Sequence, residues 1–267
     1  MGENRTTTSR DGTRLAYTKL GSGPAVVLVD GAFCYRENGP SAAMAALLAP
    51  QFTVFAYDRR GRGESGDTAP YAVAREVEDL AAIVREAGGS AVAVGVSSGA
   101  ALAMQAVASG VPITRLVLYE PPFVTDEDRP SGDGDLRARL QELLAAGDRR
   151  GAVKCFLADF VRVPRPIVVA MPYLMRRTWK RNESVAHTLP YDLTILDDWS
   201  VIKERRESIP VPTLVVGGTN SPAMLKNAVT AVAEALPHAR SRFLEGQTHD
   251  LRAAVVVPVL REFFTTP

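Results

Sequence analysis

An α/β fold on a mostly parallel sheet is what this sequence predicts, and three observations predict it. Short apolar runs rich in β-branched residues alternate with amphipathic stretches of helical period. One of these runs, Ala25-Val26-Val27-Leu28-Val29, is apolar at every position, which suits a strand covered on both faces. A Gly-x-Ser-x-Gly pentapeptide, Gly95-Val96-Ser97-Ser98-Gly99, stands between another such run and a helix-like segment.

Taken in order, Arg14-Leu15-Ala16-Tyr17-Thr18 reads as an early strand, followed by Ala25 to Val29 and by Phe52-Thr53-Val54-Phe55-Ala56-Tyr57. Val73, Val77, Leu80, Ile83 and Val84 follow helical spacing and predict a helix between Val73 and Val84. Ala91-Val92-Ala93-Val94 is the strand that enters the pentapeptide, and Ala100 to Val107 is the helix that leaves it. Arg115-Leu116-Val117-Leu118-Tyr119 is the next strand. From roughly Pro121 to Ile209 the alternation stops. This stretch opens on Pro121-Pro122 and closes before Pro210-Val211-Pro212. Its patterning is helical, through Leu136, Leu140, Leu143 and Leu144, then Val153, Phe156, Leu157 and Phe160. It reads as a helical lid inserted after the sixth strand, with a core of 1–120 and 210–267 and a cap of 121–209. A surface elaboration without contact to substrate is the other reading. Thr213-Leu214-Val215-Val216, a helix with Leu225, Val229, Val232 and Leu236 on one face, the strand Ser241 to Leu244 and a terminal helix ending near Phe264 complete the chain.

A chain of 267 residues buries a full core, so one large domain with an insertion is expected. With a net charge of +1, nothing electrostatic points to nucleic acid or to an acidic membrane as partner. No apolar run is long enough to span a bilayer, and the polar start Met1-Gly2-Glu3-Asn4-Arg5-Thr6 has no signal-peptide core. The two cysteines, Cys34 and Cys155, do not make a disulfide framework, so a reducing, cytoplasmic setting is expected. The acids and bases show no metal-ligand spacing, and Gly61-Arg62-Gly63 has no phosphate-loop pattern behind it; no cofactor and no metal are expected.

The chemistry concentrates on Ser97. Between a strand and a helix, the flanking glycines let two backbone segments pass close together, and the serine is thrust out at the carboxyl end of the sheet. A serine hydroxyl is hardly ionised near neutral pH and needs a base within hydrogen-bond reach. There are three histidines to choose from: His187 in the cap, His238 in Leu236-Pro237-His238-Ala239, a turn between helix and strand, and His249 on a loop after the last strand.

Further motifs make the chain resemble the α/β-hydrolase superfamily over nearly all of its length outside the cap. Asp58-Arg59-Arg60-Gly61-Arg62-Gly63-Glu64-Ser65-Gly66 is similar to that family's D-x-R-G-x-G-x-S turn, and Glu245-Gly246-Gln247-Thr248-His249 to its G-x-x-H segment. Val29-Asp30-Gly31-Ala32-Phe33 stands where the family has a His-Gly oxyanion loop. The resemblance implies an eight-stranded, mostly parallel sheet with helices on both faces, and it assigns Ser97 as nucleophile and His249 as base. It also implies oxyanion donors at the N–H of Ser98 and of Ala32, with Phe33 as the alternative to Ala32. Two departures stand out. Asn220 occupies the place where the family most often has its acid, and Asp30 replaces the usual histidine. Some members place the acid after the sixth strand, where this chain has Glu120; Asp126, Asp197, Asp198 and Asp250 are the weaker candidates. Asp30 is expected to pair with Arg60 or Arg62, because an unpaired buried charge is costly, with a substrate contact as the alternative. Cys34 is read as a packing residue.

The expected substrate is a small apolar molecule, with Phe33, Phe123, Met171 and Trp199 as candidate contacts; Met and aromatic residues of the cap serve equally as cap core. The leading function is a serine hydrolase acting on a small ester, thioester or lactone through an acyl-enzyme. Two rivals stay open: a lyase, isomerase or cyclase using Ser97 and His249 as a proton relay, and a binding protein with blunted catalysis.

Overall fold

The computed structural model describes residues 2–123, 136–196 and 208–265. Its centre is an eight-stranded sheet: β1 (Glu3–Thr8), β2 (Arg14–Leu20), β3 (Ala25–Val29), β4 (Thr53–Tyr57), β5 (Ala91–Val96), β6 (Ile113–Tyr119), β7 (Thr213–Gly218) and β8 (Ala239–Leu244). The spatial order is β1-β2-β4-β3-β5-β6-β7-β8. β1 and β2 run antiparallel to their neighbours, and β4 through β8 are parallel.

Strand periodicity explains why the sheet is covered on both sides. Along β3, Val26 and Leu28 enter one core with Met44 and Leu48 of α1 (Ser41–Leu48) and Val256, Leu260 and Phe263 of a C-terminal helix, Ala253–Thr265. Val27 and Val29 enter the other core, with Leu80 and Ile83 of α2 (Val73–Glu86), Leu102 of α3 (Ser98–Ala108) and Val229 of the helix Ala223–Ala235. Each fully buried Leu or Val contributes about 1.5–3 kcal/mol of transfer free energy. Two elements escape the sequence reading. β1 is a polar, mostly exposed edge strand with no apolar alternation, ordered by its pairing with β2. α1 is a run of small apolar residues without an amphipathic period.

Between β6 and β7 the described residues are helical: α4 (Leu136–Ala145), α5 (Arg149–Cys155), a π-helical turn (Phe156–Phe160), α6 (Arg165–Leu174), α7 (Arg176–Ser184), a 3-10 turn (Ala186–Thr188) and α8 (Leu189–Leu196). α9 (Ala223–Ala235) and α10 (Ala253–Thr265) follow β7 and β8. The inserted helices share a core of their own, built on Leu140, Val153, Phe156, Trp179 and Leu189, against which Ala32 and Phe33 pack. The insertion therefore lies over the loop that follows β3. Among the described residues, no helix is long and apolar enough to cross a membrane.

Candidate active site

β5 ends in a sharp bend at Ser97, whose φ is +55° and ψ −127°. The bend works because Gly95 and Gly99 carry no Cβ. One on Gly95 would lie 2.5 Å from the Cα of Ala100, and one on Gly99 would lie 2.2 Å from the carbonyl oxygen of Val29. The Ser97 N–H donates to the Tyr119 carbonyl at 2.9 Å and ties the bend to β6. Among the described residues, the non-glycine positions with positive φ are Phe33, Ser97, Glu120 and Arg162. Phe33, Ser97 and Arg162 line one cavity, and Glu120 lies directly behind it. Such conformations cost on the order of 1–3 kcal/mol each and persist where the surroundings dictate them.

Ser97, His249 and Glu120 come together in a chain of hydrogen bonds. The Ser97 hydroxyl lies 3.2 Å from His249 Nε2, and His249 Nδ1 lies 2.8 Å from Glu120 Oε2. A carboxylate only accepts, so Nδ1 carries the proton toward Glu120 and Nε2 is left to accept from Ser97. Glu120 is fully buried at the end of β6, and its Oε1 accepts from the Gly218 N–H at 2.7 Å and the Ser221 hydroxyl at 2.5 Å. Burial by itself would raise the Glu120 carboxyl. The hydrogen bonds from His249, Ser221 and Gly218 outweigh it and hold the group below the usual glutamate range. The imidazole is fixed from below as well: the Tyr119 hydroxyl donates to the Thr248 carbonyl at 2.6 Å, and the Asn220 N–H donates to the Gln247 carbonyl at 3.0 Å. Asn220 itself is exposed and serves the loop through its backbone.

The loop after β3 faces this chain. Gly31 sits so close that a Cβ there would lie 3.4 Å from Ser97 Oγ. The Cys34 N–H donates to the Gly31 carbonyl at 3.2 Å, closing a turn with Phe33 at its left-handed position. Ser98 opens α3, so its N–H is one of those a helix leaves without an intrahelical partner. Ala32 and Ser98 both line the cavity beside Ser97.

That cavity measures about 490 Å³. Its apolar wall comes from Phe33, from the π-helical turn through Phe156, Leu157 and Phe160, and from Leu196, Met224 and Leu251. Three of the expected substrate contacts do not reach this wall or cannot be placed on it. Phe123 is buried in the core that packs against α2, α3 and α9, and is absent from the cavity's lining. Met171 packs into the insertion's own core, and its neighbours Val169, Tyr173 and Leu174 on α6 face outward. Trp199 lies outside the described residues, as do Asp126, Asp197 and Asp198.

The expected pairing of Asp30 is also corrected. Arg60 binds Asp79 through two hydrogen bonds of 2.7 and 2.8 Å and reaches Asp11 at 3.1 Å. Arg62 turns to Asp192 of α8, 2.7 Å away. Asp30 has no ion pair among the described residues although it is only 1% exposed. Burial pushes its pKa up to about 6, against the opposing influence of the Ser41 hydroxyl and the charges of Arg62 and Arg59. Asp192 was not singled out by the sequence reading. It is fully buried and accepts from Arg59 at 2.9 Å, from Arg62 and from the Ser98 hydroxyl at 2.7 Å. Burial would raise its carboxyl, but the two arginines and the hydroxyl prevail and lower it. The one sequence signal was a lone carboxylate inside the apolar stretch Leu189-Pro190-Tyr191-Asp192-Leu193.

The model of the alpha/beta hydrolase family matches residues 24–258. The chain belongs to that family. A solved alpha/beta hydrolase from Sphaerobacter thermophilus is 49% identical, with a TM-score of 0.91 over 98% of this chain and 100% of that one. More distant structures share the fold. An enol-lactonase from Burkholderia xenovorans has 20% identity and a TM-score of 0.74 over 98% of this chain and 100% of its own. An esterase from Exiguobacterium antarcticum has 18% identity and a TM-score of 0.75 over 99% of this chain and 100% of its own. Family membership supports a hydrolase; which bond is cleaved is a matter for the site.

Proposed function

We propose that this alpha/beta hydrolase cleaves a small ester, thioester or lactone with an apolar acyl part, through an acyl-enzyme on Ser97. The observation that carries this reading is the unbroken chain from Glu120 through His249 to Ser97, opening onto a mostly apolar cavity of about 490 Å³. His249 Nε2 takes the proton as Ser97 Oγ attacks the carbonyl carbon, and returns it to the leaving oxygen or sulfur when the tetrahedral adduct collapses. Glu120 holds the imidazole in the productive tautomer and stabilises the imidazolium. The N–H groups of Ala32 and Ser98 are the donors for the developing oxyanion, such donors being worth about 10²–10³ in turnover each. Water activated by His249 then releases the acid. Dehalogenation and epoxide opening by the usual route need a carboxylate nucleophile where this chain has Ser97. The two unpaired cysteines favour a reducing compartment, the cytoplasm.

The test is a fluorophosphonate probe with and without Ser97→Ala, followed by a panel of p-nitrophenyl esters, thioesters and lactones. Labelling abolished by the substitution, together with turnover of at least one panel member, supports the reading. Labelling without turnover of any of them points to a proton-relay enzyme on the same scaffold. A folded sample that takes no label points to a binding protein.

A further inference from the structure

Two arginines from the turn after β4 hold the loop that carries Ala32, the first of the two proposed oxyanion donors. Arg62 donates to the Gly31 carbonyl at 2.5 Å, and Arg59 donates to the Asp30 carbonyl at 3.2 Å. These are the carbonyls of the two successive peptides that flank Gly31. In a trans peptide the C=O and the next N–H point in opposite directions. Drawing the Gly31 oxygen into Arg62 therefore turns the Ala32 N–H away from the arginine, toward the cavity that Ala32 lines. Arg62 is further fixed by the Thr188 hydroxyl at 3.1 Å, and Arg59 by Glu76 at 2.7 and 2.8 Å. Both arginine side chains are 1% exposed.

One carboxylate links them, and it comes from the insertion. Asp192 gives one oxygen to Arg59 and the other to Arg62, and also accepts from the hydroxyl of Ser98, whose N–H is the second proposed donor. We infer that Asp192 is a positioning residue, through which the insertion sets both oxyanion donors by way of Arg59, Arg62 and Ser98. The inference rests on the reading of Ser97 as nucleophile. Its physical basis is the geometry of two buried cations that each bind a loop carbonyl. Without Asp192 they retain Glu76 and Thr188 but lose the group that joins them, and buried charges stripped of a partner rearrange toward whatever polar group or water they can reach. The Gly31 and Asp30 carbonyls are then no longer held at fixed angles, and the N–H of Ala32 drifts from the position where charge develops.

The experiment compares wild type with Asp192→Asn and with Arg62→Lys. Asn keeps the shape of Asp192 but removes the charge that faces both arginines. Lys keeps a charge beside Asp192 but cannot reach Thr188, Asp192 and the Gly31 carbonyl together. Three readouts are taken: kcat and KM on p-nitrophenyl butyrate, normalised to sites titrated by a fluorophosphonate; the Ki of an aryl trifluoromethyl ketone, whose adduct places an oxyanion in the hole; and deuterium exchange of the peptide spanning Asp30 to Cys34. The expected result is a ~10²-fold fall in kcat with KM within about threefold, a parallel loss of ketone affinity, and exchange at least ~10-fold faster in that peptide. A folded Asp192→Asn protein that melts earlier but keeps kcat, Ki and exchange overturns the inference, since Asp192 then only fastens the insertion down. If Asp192→Asn does not fold, Arg62→Lys carries the same three expectations, and unchanged values overturn it equally. If the wild type takes no label and cleaves no ester, the hydrolase reading fails. The exchange readout still decides whether Asp192 sets the loop: faster exchange upholds that contact, unchanged exchange removes it.

Discussion

Replacing Asp30 by Asn gives a measurable handle on a buried charge beside the candidate site. The group titrates near pH 3.8 when unfolded and near 6 when folded, a difference of about two units. Its folded pKa is raised, so the folded state binds the proton more tightly. Below about pH 4 the carboxyl is neutral in both states and costs nothing. Between about pH 4 and 6 the native protein loses stability relative to a neutral residue, and above that the full penalty remains. At 1.36 kcal/mol per unit this comes to about 3 kcal/mol, undiminished by solvent screening because the side chain is buried. Asn is the shape match of the protonated acid, so steric effects cancel when the two proteins are compared across pH. Urea unfolding followed by tryptophan fluorescence at pH 4, 5, 6, 7 and 8 is the assay. The stability of Asp30→Asn minus that of wild type is expected to grow by about 3 kcal/mol from pH 4 to pH 7 and then level off. A difference that stays flat, or shrinks as pH rises, would refute the assignment of Asp30 as a buried carboxylate without an ion pair.

Three further outcomes are expected. Glu120→Gln should lower kcat on a p-nitrophenyl ester by on the order of 10⁴-fold, because Gly218 and Ser221 claim the amide oxygen and leave the amide nitrogen facing His249, which selects the wrong tautomer; a fall under tenfold would unseat Glu120. Burial pushes the Cys34 thiol up to about 12, so iodoacetamide at pH 8 should alkylate it roughly 10³-fold more slowly than a free thiol, measured by mass spectrometry of the trapped peptide. Gly99→Ala should cost more than about 4 kcal/mol, seen as loss of soluble yield, since a Cβ there would meet the Val29 and Asp30 carbonyl oxygens at 2.2 and 2.6 Å.

What the sequence disclosed and what it hid divide along physical lines. The bend at Ser97 is local: two glycines, a strand and a helix start write it into five consecutive residues. His249 and Glu120 stand at strand ends, and a parallel sheet presents such ends along one edge, so topology brings them together once the strands are recognised. Long-range polar pairing has no such rule. Nothing in the order Arg59-Arg60-Gly61-Arg62 says that the first and last of these arginines reach Asp192, more than 125 residues away, while Arg60 turns to Asp79. Phe33 does line the cavity, but Met171 was misplaced on its wall for a related reason. Apolar spacing along Val168 to Met175 marks a helix face but not which body it meets, and α6 turns only Val168 and Pro172 fully inward. The wall falls instead to the π-helical turn at Phe156–Phe160, a phase shift that a 3.6-residue period does not anticipate. β1 and α1 were missed because pairing and packing, not pattern, determine them.

The site of Glu120 has a practical consequence for building chimeras. Glu120, whose carboxylate binds the imidazole of His249, is the last residue before Pro121, at the start of the segment that joins β6 to β7. In a scaffold with its acid after β7, a splice at the end of β6 exchanges the insertion and spares the triad. Here the same cut separates Glu120, the proposed acid, from its strand and disturbs a backbone held at φ +43°. Transplanting another relative's insertion onto this protein calls for a junction downstream of Pro122, and for an acidic residue at position 192 to meet the waiting arginines.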